Sequence, residues 1–407
     1  MNSILILGRQ PALGLAELES LYGARALTPV ATHVAKLEVP VNQVDFRRLG
    51  GSTRLAEIIA TVPDNLWKST EKQLVKSAIA VARNLPEGKI QLGLSALNIP
   101  ITTGKLNATG LTLKKILRSK TGRSVRLTPN PELELSTAQV MHNKLTGPTG
   151  IELLAIATSS NTTIIARTTH VQDIDSYTLR DRGRPKRDAR VGMLPPKLAQ
   201  VLLNLAGGSI HTQTTRTVLD PFCGTGVVLQ EALLMGYNAY GTDLELRMVD
   251  YSRTNLEWLT INFPLSTVNY TLQQGDATDH QWSPTPDFVT CEAYLGRPFT
   301  STPSPEMLTR TVSEVNLILK KFLINMRSQI PTGMRLCLAV PAWNIRAARD
   351  SSGQDKISAH FRHLPLIDQI SDLGYNQIRF EHVRSTDLLY YREGQIVARE
   401  LLVLQKG

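Results

Sequence analysis

Cysteine is scarce in this 407-residue chain, which has three, Cys223, Cys291 and Cys337. They are odd in number, far apart and without C-x-x-C spacing, so neither a disulfide framework nor a zinc site is indicated. Aromatic residues make up only 5%. Long apolar runs are missing too: the stretch Ile4-Leu5-Ile6-Leu7 is too short for a signal-peptide core, and nothing approaches a membrane span. The eight histidines have no metal-like partners. These absences point to a cytoplasmic, metal-free protein with no membrane association, and 42% hydrophobic content is enough for two or three ordinary cores.

Charge, by contrast, is concentrated. Residues 113–126 hold six basic side chains and no acid (Lys114, Lys115, Arg118, Lys120, Arg123, Arg126). Residues 176–190 hold six basic (Arg180, Arg182, Arg184, Lys186, Arg187, Arg190) against Asp181 and Asp188. The two runs account for the whole formal charge of +10. A charge run can be no more than a solvated face, but two in an otherwise balanced chain favour nucleic-acid phosphate.

One stretch, residues 216–243, reads as strand, glycine turn, helix, strand. Thr217-Val218-Leu219 form a buried strand ended by Asp220-Pro221, and Cys223-Gly224-Thr225-Gly226 make the turn. Residues 227–235 form a helix stopped by Gly236, and a second strand ends at Asp243. Open α/β sheets bind ligands at such carboxyl ends, where a carboxylate can accept both ribose hydroxyls. A dinucleotide fingerprint needs a third glycine, and here that position is Leu229. An acid opening the loop repels phosphate but suits a ligand carrying an ammonium and a sulfonium, as S-adenosylmethionine does.

The run D-P-F-C-G-T-G resembles the first motif of class I methyltransferases that act on amino groups of bases. The segment 171–199, with Asp175, Tyr177, Arg180-Asp181, Arg184-Pro185 and G-M-L-P-P-K-L-A, resembles the entry to the catalytic domain of archaeal and eukaryotic-type tRNA guanine-N2 methyltransferases. Upstream, residues 3–62 pattern as β-α-β-β-α-β, a ferredoxin-like plait with a short helix at 44–49. Helices at 74–85, 111–119 and 136–145, strands at 90–97 and 124–127, and a hairpin of 153–158 with 163–167 resemble the THUMP domain of tRNA-modifying enzymes. The expected fold class is therefore α/β: a C-terminal Rossmann-like class I methyltransferase seven-stranded sheet, preceded by ferredoxin-like and THUMP-like α/β domains. The expected boundaries are 1–70, 71–170, a basic connector 171–192 and a catalytic domain 193–407.

The resemblance implies S-adenosylmethionine as cofactor, held by Asp220, Phe222, Gly224, Thr225, Gly226, Asp243, Asp276 and Ala277. It implies tRNA as partner, gripped by Lys114, Lys115, Arg118, Arg123, Arg126, Arg180, Arg184 and Lys186. After the strand 288–290 comes Cys291-Glu292-Ala293-Tyr294-Leu295-Gly296, where amino-methyltransferases carry acid-Pro-Pro-aromatic. Glu292 would take the amine's hydrogens and Tyr294 would stack on the base, as catalytic residues. Three departures stand out: Glu for Asp or Asn, Ala293 at a proline position, and the aromatic one residue early. Two other readings stay open, a tRNA-binding homologue with impaired catalysis and a DNA amino-methyltransferase. Cys291 does not lie in the setting of a cytosine-C5 nucleophile. The sheet is expected to close with strands near 268–273 and 334–340, helices at 244–259, 315–326 and 364–373, and strands at 381–384, 388–392 and 396–404.

Overall fold

The computed structural model describes residues 2–188, 193–209, 215–265, 269–299, 303–345 and 360–407. Two units are present, Met1–Leu15 with Gly23–Tyr177, and Ala16–Tyr22 with Thr178–Gly407.

The first unit is built from β1 (Ser3–Leu7), α1 (Pro11–Tyr22, whose last turns group with the second unit), β2 (Leu27–Ala31), β3 (Val34–Leu37), β4 (Ser52–Val62), α2 (Trp67–Arg83), β5 (Ile90–Leu97), α3 (Thr103–Thr121), β6 (Val125–Leu127), α4 (Thr137–His142), β7 (Gly150–Ala157) and β8 (Thr163–Val171). The strands β2-β3-β1-β4 pair antiparallel in the plait order that the pattern predicts. The short helix expected at 44–49 is instead two single 3-10 turns, Val41–Gln43 and Phe46–Arg48. Phe46 and Leu49 are both buried at the i, i+3 spacing such a turn favours. Strands expected to belong to separate domains, 1–70 and 71–170, form one eight-stranded sheet, because β4 pairs with β8 along most of its length. One buried pair joins four of these strands: Arg54 (β4) meets Glu152 (β7) at 3.1 Å, while Ser95 (β5) and Thr168 (β8) donate to the same carboxylate at 2.7 and 2.6 Å.

The second unit continues with α5 (Ile174–Arg182), α6 (Pro196–Gly207), β9 (Thr217–Asp220), α7 (Val227–Leu234), β10 (Asn238–Asp243), α8 (Leu246–Asn262), β11 (Tyr270–Gln274), β12 (Phe288–Glu292), α9 (Pro305–Gln329), β13 (Arg335–Ile345), β14 (His360–Arg362), β15 (Tyr375–Gln377), β16 (Leu389–Tyr390) and β17 (Val397–Lys406). Their sheet runs β11-β10-β9-β12-β13-β17-β15, with β14 on β13 and β16 on β17. Strands β9 to β13 are parallel where they pair, and β17 inserts antiparallel beside β13. This is a Rossmann-like sheet, with its strand order reversing between β9 and β12. In open α/β sheets such a switch is where crossovers leave to opposite sides and a ligand crevice opens beyond the carboxyl ends.

The basic connector contains α5, and its residues 189–192 lie outside those described. Two expectations change. The helix at 364–373 is a 3-10 segment, Pro365–Gln369, followed by turns. Leu366, Ile370 and Leu373 keep helical spacing inward, but bonds such as Asp372 N–H to Gln369 O close one residue early. Residues 381–384 are bends rather than a strand. The core of this unit lies under α9, where Val315, Leu319, Phe322 and Met326 pack on β12, β13 and β17.

Candidate active site

Asp220 ends β9, Asp243 ends β10 and Asp276 follows β11, so three neighbouring strand tips each present an acid. Asp220 is buried and accepts from Phe222 N–H at 3.1 Å. Burial pushes its carboxyl well above the ordinary range, and the charges of Asp243 and Glu292 add to this. Asp243 accepts Gly224 N–H at 2.9 Å through Oδ2 and Glu245 N–H at 3.0 Å through Oδ1. Burial raises its carboxyl as well. Asp276 accepts Thr278 N–H at 2.8 Å, and Ala277 beside it is buried. Each acid therefore shapes its own loop at the carboxyl edge of the sheet.

The turn between them requires glycine. Gly226 has φ 80°, and a Cβ there would lie 2.9 Å from Ser252 Oγ. Ser252 of α8 donates to Gly224 O at 2.9 Å, and Asn255 of the same helix donates to Thr225 O at 2.8 Å. Asn255 also binds the backbone of Lys186 on both sides, through Oδ1 and Nδ2, each at 2.9 Å. Sequence reasoning did not single out Ser252 or Asn255. The missing third glycine is also explained: a Cβ at Gly241 of β10 would lie 2.5 Å from Leu229 Cδ1. Close helix-strand packing is preserved, with the glycine on the strand instead of the helix. Phe222 packs edge-on against Phe322 of α9, ring centroids 5.1 Å apart.

At the far side of the switch, Glu292 ends β12 and forms an ion pair with Arg399 Nε of β17. Burial raises its carboxyl, and Arg399 acts in the opposite direction. Arg399 was not anticipated, since 107 residues separate the pair in sequence. Tyr294 is half-buried against the α9 core and donates its hydroxyl to Glu314 Oε1 at 3.2 Å. Cys291 is fully buried, and burial together with the charge of Asp220 pushes its thiol well up, which leaves it a poor nucleophile.

The expected RNA-binding residues divide. Lys115, Arg118 and Arg126 are exposed, Lys114 is half-buried, and Lys186 is exposed with its ammonium 5.3 Å from the Tyr251 ring centre. Arg123 departs from the expectation, because its guanidinium is spent on the α2–β5 loop: Nε donates to Gly88 O at 2.8 Å and Nη2 to Pro86 O at 2.7 Å. Arg180 is buried and paired with Glu231 of α7 at 2.6 Å, which makes it a core cation. Arg184 is buried too, its guanidinium pKa lowered by burial and raised in turn by Asp181 and Glu231.

The strand order and the acid-tipped glycine crevice define the class, a Rossmann-like methyltransferase fold. Residues 184–314 match the family described as RMKL-like, methyltransferase domain. Among curated proteins, the chain is similar to the tRNA (guanine(10)-N2)-dimethyltransferase of Methanothermobacter thermautotrophicus, 30% identical over 151 residues, which is 37% of this chain and 39% of that protein. The enzyme of the same description from Pyrococcus abyssi is 41% identical over 85 residues, 21% of this chain and 22% of that one. The matched segments thus span well under half the length of these relatives. The resemblance to tRNA guanine-N2 methyltransferases is borne out by these relatives. A solved structure, TrmN from Thermus thermophilus, aligns over 100% of both chains at 17% identity with a TM-score of 0.49.

Proposed function

We propose that this protein is an S-adenosylmethionine-dependent tRNA methyltransferase that transfers a methyl group to the exocyclic N2 of a guanosine. The observation that carries the reading is the pair of acids Asp220 and Asp243 at adjacent strand tips, both with carboxyls pushed up by burial. Two carboxylates held so close are relieved by a cationic ligand, and the glycine loop leaves the backbone open to it. An ammonium group and a sulfonium fit such a crevice; a pyrophosphate does not.

When bound, the cofactor supplies an electrophilic methyl group on its sulfonium. The residues of the chain do the rest. Asp243 would receive the ribose hydroxyls on lone pairs that its two backbone bonds leave open, and Asp276 with Ala277 would border the adenine. Glu292 would accept an amine hydrogen and so turn the weak lone pair of a ring-conjugated nitrogen toward the methyl group. The Tyr294 ring, anchored through its hydroxyl to Glu314, would hold a flipped guanine by stacking. The exposed Lys115, Arg118 and Arg126 would meet phosphates from a THUMP-like first unit. No helix among the described residues is long and apolar enough to cross a membrane, and we place the activity in the cytoplasm.

The test is calorimetry on Asp243→Ala. Cofactor binding should be abolished while tRNA binding persists, and an unchanged cofactor affinity counts against the site. Transfer of a tritiated methyl group to bulk tRNA, followed by mass spectrometry of the nucleosides, should yield N2-methylated guanosine. Tight tRNA binding without incorporation would instead favour a binding protein.

A further inference from the structure

Glu292 departs from the usual acceptor by one methylene, and Ala293 occupies a position where proline would be expected. Both departures have a structural counterpart. Ala293, unlike proline, has an N–H, and it donates to Ala339 O of β13 at 3.0 Å. The ladder is thereby carried one residue past Glu292, so the acid sits on a strand tip and not on a free loop. Glu292 lies opposite Ala339 of β13, and Arg399 lies opposite Pro341 of the same strand. The two side chains therefore meet across one intervening strand, a span of roughly 10 Å between their backbones. Only long side chains bridge it, which gives the extra methylene of glutamate a purpose.

We propose that Arg399 is a positioning residue: by binding Oε1 of Glu292 across β13 it fixes that side chain as a carboxylate and leaves the other oxygen for a hydrogen of the acceptor amine. The inference rests on the proposed function for its second half only. Glu292 keeps 15% of its side-chain surface exposed against 7% for Arg399, so the acid is the more accessible member of the pair. The charged groups facing it are Arg399 from β17 and Asp220 from β9, with the thiol of Cys291 next to it in the chain. Burial favours a neutral Glu292, and Arg399 opposes it. A neutral carboxylic acid would present a proton where an acceptor is needed. Methylation forms an N–C bond, breaks the C–S bond and sheds one amine proton, which an ionised Glu292 is placed to accept.

Infrared difference spectroscopy reads the ionisation directly. The wild type at neutral pH should lack a protonated-carboxyl band sensitive to Glu292→Gln. Arg399→Met should show such a band, and it should vanish in the double variant with Glu292→Gln. Arg399→Lys should resemble the wild type. Should the methionine variant fail to fold in a thermal melt, Arg399→Gln serves in its place. A Glu292 that stays ionised at neutral pH without the guanidinium overturns the proposal. In the methyl-transfer assay, Arg399→Met should lower kcat at neutral pH by about tenfold or more, with KM for tRNA little changed, and recover as pH rises. Absence of transfer by the wild type would refute the functional reading, while the infrared result still decides the role of Arg399.

Discussion

Two buried arginine-glutamate pairs in this chain do opposite work. In the first unit, both oxygens of Glu152 are taken: Oε1 by Arg54 and Ser95, Oε2 by Thr168. Neither side chain exposes more than 2% of its surface, and the cluster joins β4, β5, β7 and β8. In the second unit Glu292 also has its guanidinium, but at a strand tip where 15% of its side chain stays exposed. The first pair is closed and holds a sheet together. The second is open on one side, and an acceptor that is partly free is what a reaction can use. A buried ion pair is thus not functional by its chemistry alone. What distinguishes the two is whether the surrounding strands fill the remaining valences of the carboxylate.

The largest effect should come from breaking the closed pair. Arg54→Met leaves Glu152 charged in a dry interior and should cost about 3–5 kcal/mol of stability, read by urea denaturation. Replacing Glu152 by leucine in the same chain should restore a large part of it. If Arg54→Met cost no more than a surface substitution, the division between closed and open pairs would fail. Next comes Asp220, an acid whose neighbours are Asp243 and Glu292. Its folded carboxyl is raised above its unfolded value, so the fold is favoured below the ordinary carboxylate range and loses that advantage as pH rises through the folded value. At neutral pH, Asp220→Asn should therefore raise the ligand-free melting temperature by a few degrees. Cofactor affinity should fall in the same variant, because the buried negative charge is gone. A lower melting temperature at neutral pH would reverse the sign of the argument.

The second unit was far more legible in sequence than the ion pairs that support it. Residues 216–243 announce strand, bend, helix and strand because each feature is local: β-branched strand residues, glycines at positive φ, an acid at each strand end. The Leu229 departure could be seen, but its compensation at Gly241 could not, because twelve residues and a chain reversal separate the two. Arg399 lies still further from Glu292. No periodicity signals a contact between strands β12 and β17, and the composition of β17 reads only as a buried strand with three charges, Arg399, Glu400 and Lys406. The basic runs were only partly legible for a related reason. A charge count cannot tell Lys115 from Arg123, whose guanidinium closes a loop from α2 to β5. The helix foreseen at 364–373 failed differently: inward spacing was right, and the backbone hydrogen bonds that define a helix leave no trace in it.

Arg180 tests whether a third buried pair behaves as a closed one. It binds Glu231, and burial raises the Glu231 carboxyl while Arg180 lowers it. Arg180→Met should destabilise by about 3 kcal/mol and leave the salt dependence of tRNA binding unchanged. A flattened salt slope without destabilisation would return Arg180 to the RNA surface.

The smallest expected effects lie on the exposed cations, and they separate the two kinds of basic residue most cleanly. Lys115 and Arg118 sit on the outer face of α3 while Leu113 and Leu117 of the same helix are buried, so removing their charges leaves the packing intact. Lys115→Ala with Arg118→Ala should change stability by no more than about 0.5 kcal/mol. If both meet phosphates, the slope of log affinity against log salt should fall by about 2, with no loss of cofactor binding. Arg123→Ala should do the reverse, since its carbonyl partners Gly88 and Pro86 belong to the fold: a loss of about 1 kcal/mol or more and an unchanged slope. Equal slopes for all three variants would mean that burial and hydrogen bonding do not sort the basic residues of this chain by role.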